Sequence, residues 1–256
     1  MAGLHPAAEP RPGPLQGIRV LDFTAMLAGP HCARLMADLG AEVIKIEGLE
    51  GDLIRSRPPL RDGNSTYFGA LNCGKKSVAI DLKTDAARSI IHALAKQSDV
   101  VVENFRPGVM ARLGFDYATL SRHNPKLVYC SISGYGQSGP GATRAAYAPI
   151  VHAASGYDAA NLSYQPTQDY PASTGIFTAD ILSGAYAFGA IQAALVHRER
   201  SGQGGDSEVH DRLPPDPAAG PAGGGGQAGL LPRLRRRVVH HWRVGADRWR
   251  VARLAR

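Results

Sequence analysis

The sequence predicts an α/β fold, a mostly parallel sheet with helices on both faces, followed by a poorly ordered C-terminal tail. Three observations carry this reading. Five short apolar segments have the profile of strands, helical segments lie between several of them, and the composition changes abruptly near residue 205. Strands that alternate with helices imply right-handed crossover units, because a parallel neighbour must be reached over the face of the sheet.

The elements follow in order. Residues 1–14 are rich in Pro and Ala and read as a disordered leader. They lack a basic stretch followed by an apolar one, so they do not read as a secretory signal. The strands are Ile18–Phe23 (IRVLDF), Glu42–Glu47 (EVIKIE), Ser77–Leu82 (SVAIDL), Val100–Phe105 (VVVENF) and Leu127–Ser133 (LVYCSIS), all rich in β-branched residues. Ala28–Leu39 reads as a helix stopped by Gly40. Asp85–Gln97 reads as another, with Thr84 as its N-cap and Ile90, Ile91 and Leu94 on one face. Residues 134–175 hold so many Gly and Pro that loops are expected, apart from a short helix near Ile150–Ala154. Ile176–Arg200 reads as one long helix, apolar on nearly every face and lined with small residues, and therefore buried. Its uncharged core, Ile181 to Val196, has 16 residues, short of the roughly 20 that span a bilayer, so no membrane partner is expected.

The first domain thus covers residues 15–205, and 206–256 form an Arg-, Gly- and Pro-rich tail. The whole chain has 29 basic and 22 acidic residues, a net charge of +7. Residues 206–256 hold ten Arg, no Lys and five acids, a charge of +5, which leaves +2 for residues 1–205. The basic character belongs to the tail, which has no nucleic-acid-binding pattern, so no nucleic-acid partner is expected. Cys32, Cys73 and Cys130 are odd in number and widely spaced, without metal-ligand spacing, as expected of reduced thiols in a cytoplasmic protein.

No GxGxxG follows the first strand, where Thr24–Pro30 holds a single glycine, and no GxxxxGK[ST] occurs. Open α/β sheets still bind ligands at the carboxyl ends of their strands. Those ends offer Met26, Leu27, Lys83, Asn104, Phe105 and Gly134. Lys83 could meet a phosphate there or be a solvated loop lysine. Arg112 could contact a ligand or compensate a helix C-terminus. Asp180 falls in the first turns of an apolar helix, where free N–H groups favour the ionised form, so it is either a helix-start acid or a carboxylate kept ready as a nucleophile.

Six segments in order resemble the family III CoA-transferases, the group of formyl-CoA transferase, carnitine CoA-transferase and α-methylacyl-CoA racemase. They are Leu15–Phe23, Ala28–Glu47, Tyr67–Leu82, Val100–Gly114, Asn124–Pro140 and Thr178–Gly204. The resemblance implies a Rossmann-like domain that binds coenzyme A as acyl-CoA substrate and needs no metal. It implies Asp180 as the nucleophile that carries CoA from an acyl-CoA thioester to a carboxylic acid through an aspartyl-CoA intermediate. CoA contacts fall by resemblance on Lys83, Asn104, Phe105 and Arg112, with backbone around Met26, and the full-length family is expected to form homodimers. Departures from the family pattern narrow this. Gly48 stands where an arginine is common, Leu27 where formyl-CoA transferases carry glutamine, and Tyr147 where the racemases carry a histidine. Racemisation is therefore the runner-up, beside a non-catalytic, truncated relative. Members of the family run to roughly twice the matched length, and the composition after Asp206 reads as translation in another frame of a GC-rich gene, which would leave this chain without turnover.

Overall fold

The structure is a computed structural model, which describes residues 13–172 and 175–210, with the side chains of 207–210 left aside. The leader before residue 13 and the tail after 210 lie outside the described residues.

The main sheet is built from β1 (Arg19–Asp22), β2 (Glu42–Glu47), β5 (Lys76–Ala79), β6 (Val100–Glu103), β7 (Val128–Ser133) and β8 (Gly205–His210). They lie in the order β5-β2-β1-β6-β7-β8, and every pairing is parallel. This is the doubly wound order, with its switch point between β1 and β6. Parallel strands need both faces covered, and two apolar layers cover them. On one side α1 (Ala28–Asp38) and α8 (Thr178–Ser201) pack Cys32, Met36, Ala187 and Ile191 on Val20, Val102 and Cys130. On the other, α3 (Asp85–Lys96), α4 (Val109–Leu113) and α5 (Tyr117–Leu120) pack Ile91, Met110 and Leu120 on Leu21, Val101 and Tyr129.

The central strands match their expected segments because both faces are buried: Val100, Val101 and Val102 are fully enclosed. At the sheet edge the agreement weakens. β5 ends at Ala79, not Leu82, because Asp81 starts a turn in which its carboxylate accepts the Lys83 N–H and its carbonyl accepts the Thr84 hydroxyl. The Thr84 cap is as expected, with its hydroxyl accepting the Ala87 N–H at 3.1 Å. A small hairpin, β3 (Leu60–Arg61) with β4 (Asn64–Ser65), leads into a further helix, α2 (Thr66–Asn72). Ser65 caps that helix by accepting the Phe68 N–H at 3.0 Å. The stretch expected to be loop with one short helix holds two, α6 (Ala148–Ser155) and α7 (Tyr157–Leu162), separated at Gly156, whose φ of 79° ends the first.

Two expectations are corrected. The sheet continues past residue 205, since β8 runs along β7 in register from Val128↔Gly205 to Ser133↔His210. The long helix is not buried all round. Its Gly184, Ala187, Ala190 and Ile191 face the core while Ile181, Leu182, Tyr186 and Val196 are exposed. Over its 24 residues it is long and apolar enough to cross a membrane by length and composition. One face packs as a core helix, and its C-terminal Arg198 donates to Asp99 at 2.9 Å.

Candidate active site

The switch point is drawn together by buried polar groups. Asp22, at the end of β1 and fully enclosed, accepts the Thr24 N–H at 2.9 Å and also the Thr24 hydroxyl. Its second oxygen accepts Lys75 Nζ at 2.8 Å, and the same ammonium donates to the Pro30 carbonyl and Asn72 Oδ1. Burial lowers the Lys75 pKa, opposed by the Asp22 charge. With three acceptors the ammonium is fully partnered, and it ties α2 to β1 and the start of α1. Lys45, equally buried, donates to the Thr24 carbonyl at 2.7 Å and pairs with Asp52 at 3.0 Å. Beside it Glu47 accepts Arg55, Ser77 and the Asp52 N–H. Burial pushes Glu47 up, yet these donors outweigh it and hold its pKa at about 2.

Asn104, just past β6, closes the crevice. Its Oδ1 accepts the Ala25 N–H at 2.9 Å and its Nδ2 donates to the Ala25 carbonyl at 2.8 Å. That clasp fixes the turn in which Met26 adopts φ 67°, a left-handed conformation uncommon outside glycine. Helix α1 starts directly after it, with no side-chain cap. Next to Asn104, Glu103 is buried and accepts the Phe105 N–H at 2.8 Å. Burial and the nearby Asp206 lift its pKa to about 7, against hydrogen bonds from Ser131 and Phe105.

Asp180 is the third residue of α8 and half-buried. It lines a cleft of about 100 Å³ with Asn104, Ser133, Gly134, Tyr147 and Ser183, at the carboxyl ends of β6 and β7. The helix reaches this place because Gly184, one turn on, lies against α1: a Cβ there would stand 2.5 Å from the Ala28 carbonyl oxygen. A larger hollow of about 470 Å³ opens beside Lys96, Asp99 and Arg198. It sits at the amino edge of the sheet, opposite the edge where such sheets bind ligands.

The residues named from sequence are distributed unevenly around this crevice. Asn104 and Asp180 line one cleft, and Met26 sits in the loop that Asn104 clasps. Phe105 is half-buried against the α3-side core. Lys83 is exposed in the turn before α3, four residues past the end of β5. Arg112 is exposed in the last turn of α4, the position of a helix-end cation. Sequence reading missed Tyr67 on α2, whose pKa is raised by burial first and then by the Asp180 and Asp52 charges, which puts its hydroxyl within electrostatic reach of Asp180. A tyrosine in a seven-residue helix carries no local signal of that proximity. Among the described residues no group of three or more His, Cys, Asp and Glu is arranged to hold a metal ion.

A doubly wound parallel sheet with a half-buried carboxylate at its switch-point crevice defines an α/β protein built to hold a ligand at the carboxyl edge. The chain belongs to CoA-transferase family III, which it matches over residues 15–210. It is similar to the succinate–glutarate CoA-transferase of Agrobacterium fabrum, 43% identical over 202 residues, covering 76% of this chain and 50% of that protein. It is also similar to the mouse succinyl-CoA:glutarate CoA-transferase, 41% identical, covering 75% of this chain and 44% of that one. Among solved structures, Rv3272 of Mycobacterium tuberculosis superposes with a TM-score of 0.71 at 40% identity, covering 77% of this chain and 55% of that chain. A CAIB/BAIF family protein from Brucella suis gives 0.71 at 38% identity, covering 78% and 53%. The chain thus spans about half the length of the curated relatives it matches.

Proposed function

We propose that this chain serves CoA transfer from an acyl-CoA to a carboxylic acid, with Asp180 as the nucleophile. The observation that carries the reading is the placement of the Asp180 carboxylate in the switch-point cleft beside Asn104 and Tyr147. In the reaction, a carboxylate oxygen of Asp180 attacks the thioester carbonyl, and the C–S bond breaks to release CoA thiolate and leave a mixed anhydride. The thiolate then attacks the aspartyl carbonyl, which expels the first acid as its carboxylate and leaves an aspartyl-CoA thioester. The acceptor carboxylate repeats the sequence in reverse, and Asp180 returns unchanged. No proton is consumed and nothing is oxidised or reduced.

The cleft is small beside the 300–1,000 Å³ of typical ligand pockets, so it suits the acyl group. The nucleotide end of CoA then runs over the rim, past Met26, Asn104 and Phe105 toward Lys83 and Arg112. The two CoA-transferases named above are named for succinate and glutarate, which favours a short dicarboxylate as one partner. The exposed Tyr147, Ile181, Leu182 and Tyr186 near the cleft leave room for the second subunit of the homodimer expected of the full-length family.

The test is exchange of labelled succinate into succinyl-CoA by the 256-residue chain and, since the composition after Asp206 predicts no turnover for it, by a version extended to the length of the relatives. Exchange that is lost in Asp180→Ala supports the reading, and full exchange in that variant ends it. Binding of CoA without exchange would instead favour a non-catalytic relative.

A further inference from the structure

Helix α8, which carries Asp180, begins without a cap of its own. Its boundary residue is Phe177, which has no side-chain acceptor, and the first N–H groups of a helix have no partner inside it. The Thr178 N–H finds the Ile176 carbonyl at 3.0 Å and the Ile181 N–H the Phe177 carbonyl at 3.1 Å. Between them, the Ala179 N–H is taken from outside, by Nε2 of His152 at 3.1 Å. An imidazole accepts only through an unprotonated nitrogen, so this geometry assigns the proton to Nδ1.

His152 is itself held. It lies in the last turn of α6, the helix that starts directly after Tyr147 on the cleft rim. The Tyr157 ring packs on it with centroids 4.7 Å apart, and the Tyr157 hydroxyl lies 3.3 Å from Thr178 Oγ1. The two residues before Asp180 are therefore tied to α6 and α7, and the helix with the nucleophile is joined to the helix that presents Tyr147.

We propose that His152 is a positioning residue for the reaction: by accepting the Ala179 N–H it fixes the first turn of α8 and so sets the Asp180 carboxylate against Asn104, Ser133 and Tyr147. This rests on Asp180 being the nucleophile. The rest of α8 is held independently, since Gly184, Ala187, Ala190 and Ile191 pack into the core. Loss of His152 thus loosens one turn without unfolding the helix, and displacement of a reacting group by about 1 Å can cost on the order of 100-fold in rate.

The experiment compares His152→Gln, whose amide oxygen can still accept, with His152→Leu, which fills the space and cannot. Leu should lower kcat for CoA exchange about 10- to 100-fold with little change in KM for acyl-CoA. Gln should restore most of it, although both variants lose the imidazole equally. Deuterium exchange in the peptide spanning 177–182 should rise in Leu and stay near wild type in Gln. Wild-type kcat in Leu, or a Gln variant as slow as Leu, would overturn the proposal. In a preparation without turnover, unchanged amide protection in Leu overturns it equally. Failure of the underlying assignment shows separately, as exchange activity that survives Asp180→Ala.

Discussion

Two glycines of α8 make a matched test of how the helix is seated. At Gly184 an added Cβ would meet the Ala28 carbonyl oxygen at 2.5 Å and His31 carbons at 3.0 and 3.2 Å, whereas at Gly189 nothing lies within 4 Å. Both lie inside the helix, so Ala at either gains about 1 kcal/mol of helix propensity. Only Gly184→Ala forces a methyl carbon against the α1 backbone, at a cost of about 1–3 kcal/mol. Gly189→Ala should therefore raise the melting temperature by about 2–4 °C, and Gly184→Ala should leave it unchanged or lower it by up to several degrees. The two variants should differ by roughly 1–3 kcal/mol in urea unfolding. Gly184→Ala should also weaken any Asp180-dependent exchange, because the displaced turn is the one after the nucleophile. Equal and favourable shifts in the two variants would refute the close α1–α8 approach on which the position of Asp180 depends.

Glu103 should make stability depend on pH in a defined window. Its carboxyl keeps a proton in the folded state up to about pH 7 but loses it near 4.5 when unfolded, so stability falls as pH rises between those values. The loss is about 3 kcal/mol from a shift of that size. Glu103→Gln should flatten this slope and be the more stable protein at pH 8, and a slope in urea midpoints unchanged by the substitution would contradict it. Glu47, held at about 2, acts in the opposite direction and only below about pH 4.5, where its contribution is lost as pH falls. Lys83→Ala and Arg112→Ala should each weaken CoA binding about tenfold or more, as expected when a charge-assisted contact worth about 1.5–3 kcal/mol is removed. Calorimetric titration with CoA reads this directly, and unchanged dissociation constants in both variants would return Lys83 to a solvated loop and Arg112 to a helix-end cation.

What was legible in the sequence follows from how local each determinant is. β1, β2, β6 and β7 announce themselves because strands buried on both faces are rich in apolar, β-branched residues, and the Thr84 cap because it acts three residues away. β8 (GDSEVH) is largely polar, and its strand conformation comes from pairing along β7, 77 residues earlier in register. The family resemblance brought out Asn104 and Asp180 as site residues, and the chain places both on one cleft. The reason Asn104 matters structurally, its double bond to the Ala25 backbone, spans 79 residues and leaves no local trace. The same holds for Lys75 on Asp22, for Tyr67 near Asp180 and for His152 on Ala179. Each depends on where two distant helices or strands meet. The short helices α2 and α7 escaped because six or seven residues show too little of a 3.6-residue period.

The central claim is that Asp180 becomes covalently attached to CoA. Incubation with succinyl-CoA, acid quenching and mass spectrometry of proteolytic peptides tests it most directly. The account predicts a CoA adduct on the peptide containing Asp180, removed by hydroxylamine, which leaves a hydroxamate at that residue, and absent in Asp180→Ala. A preparation that exchanges CoA with no adduct on that peptide, or with the adduct on another residue, would contradict it.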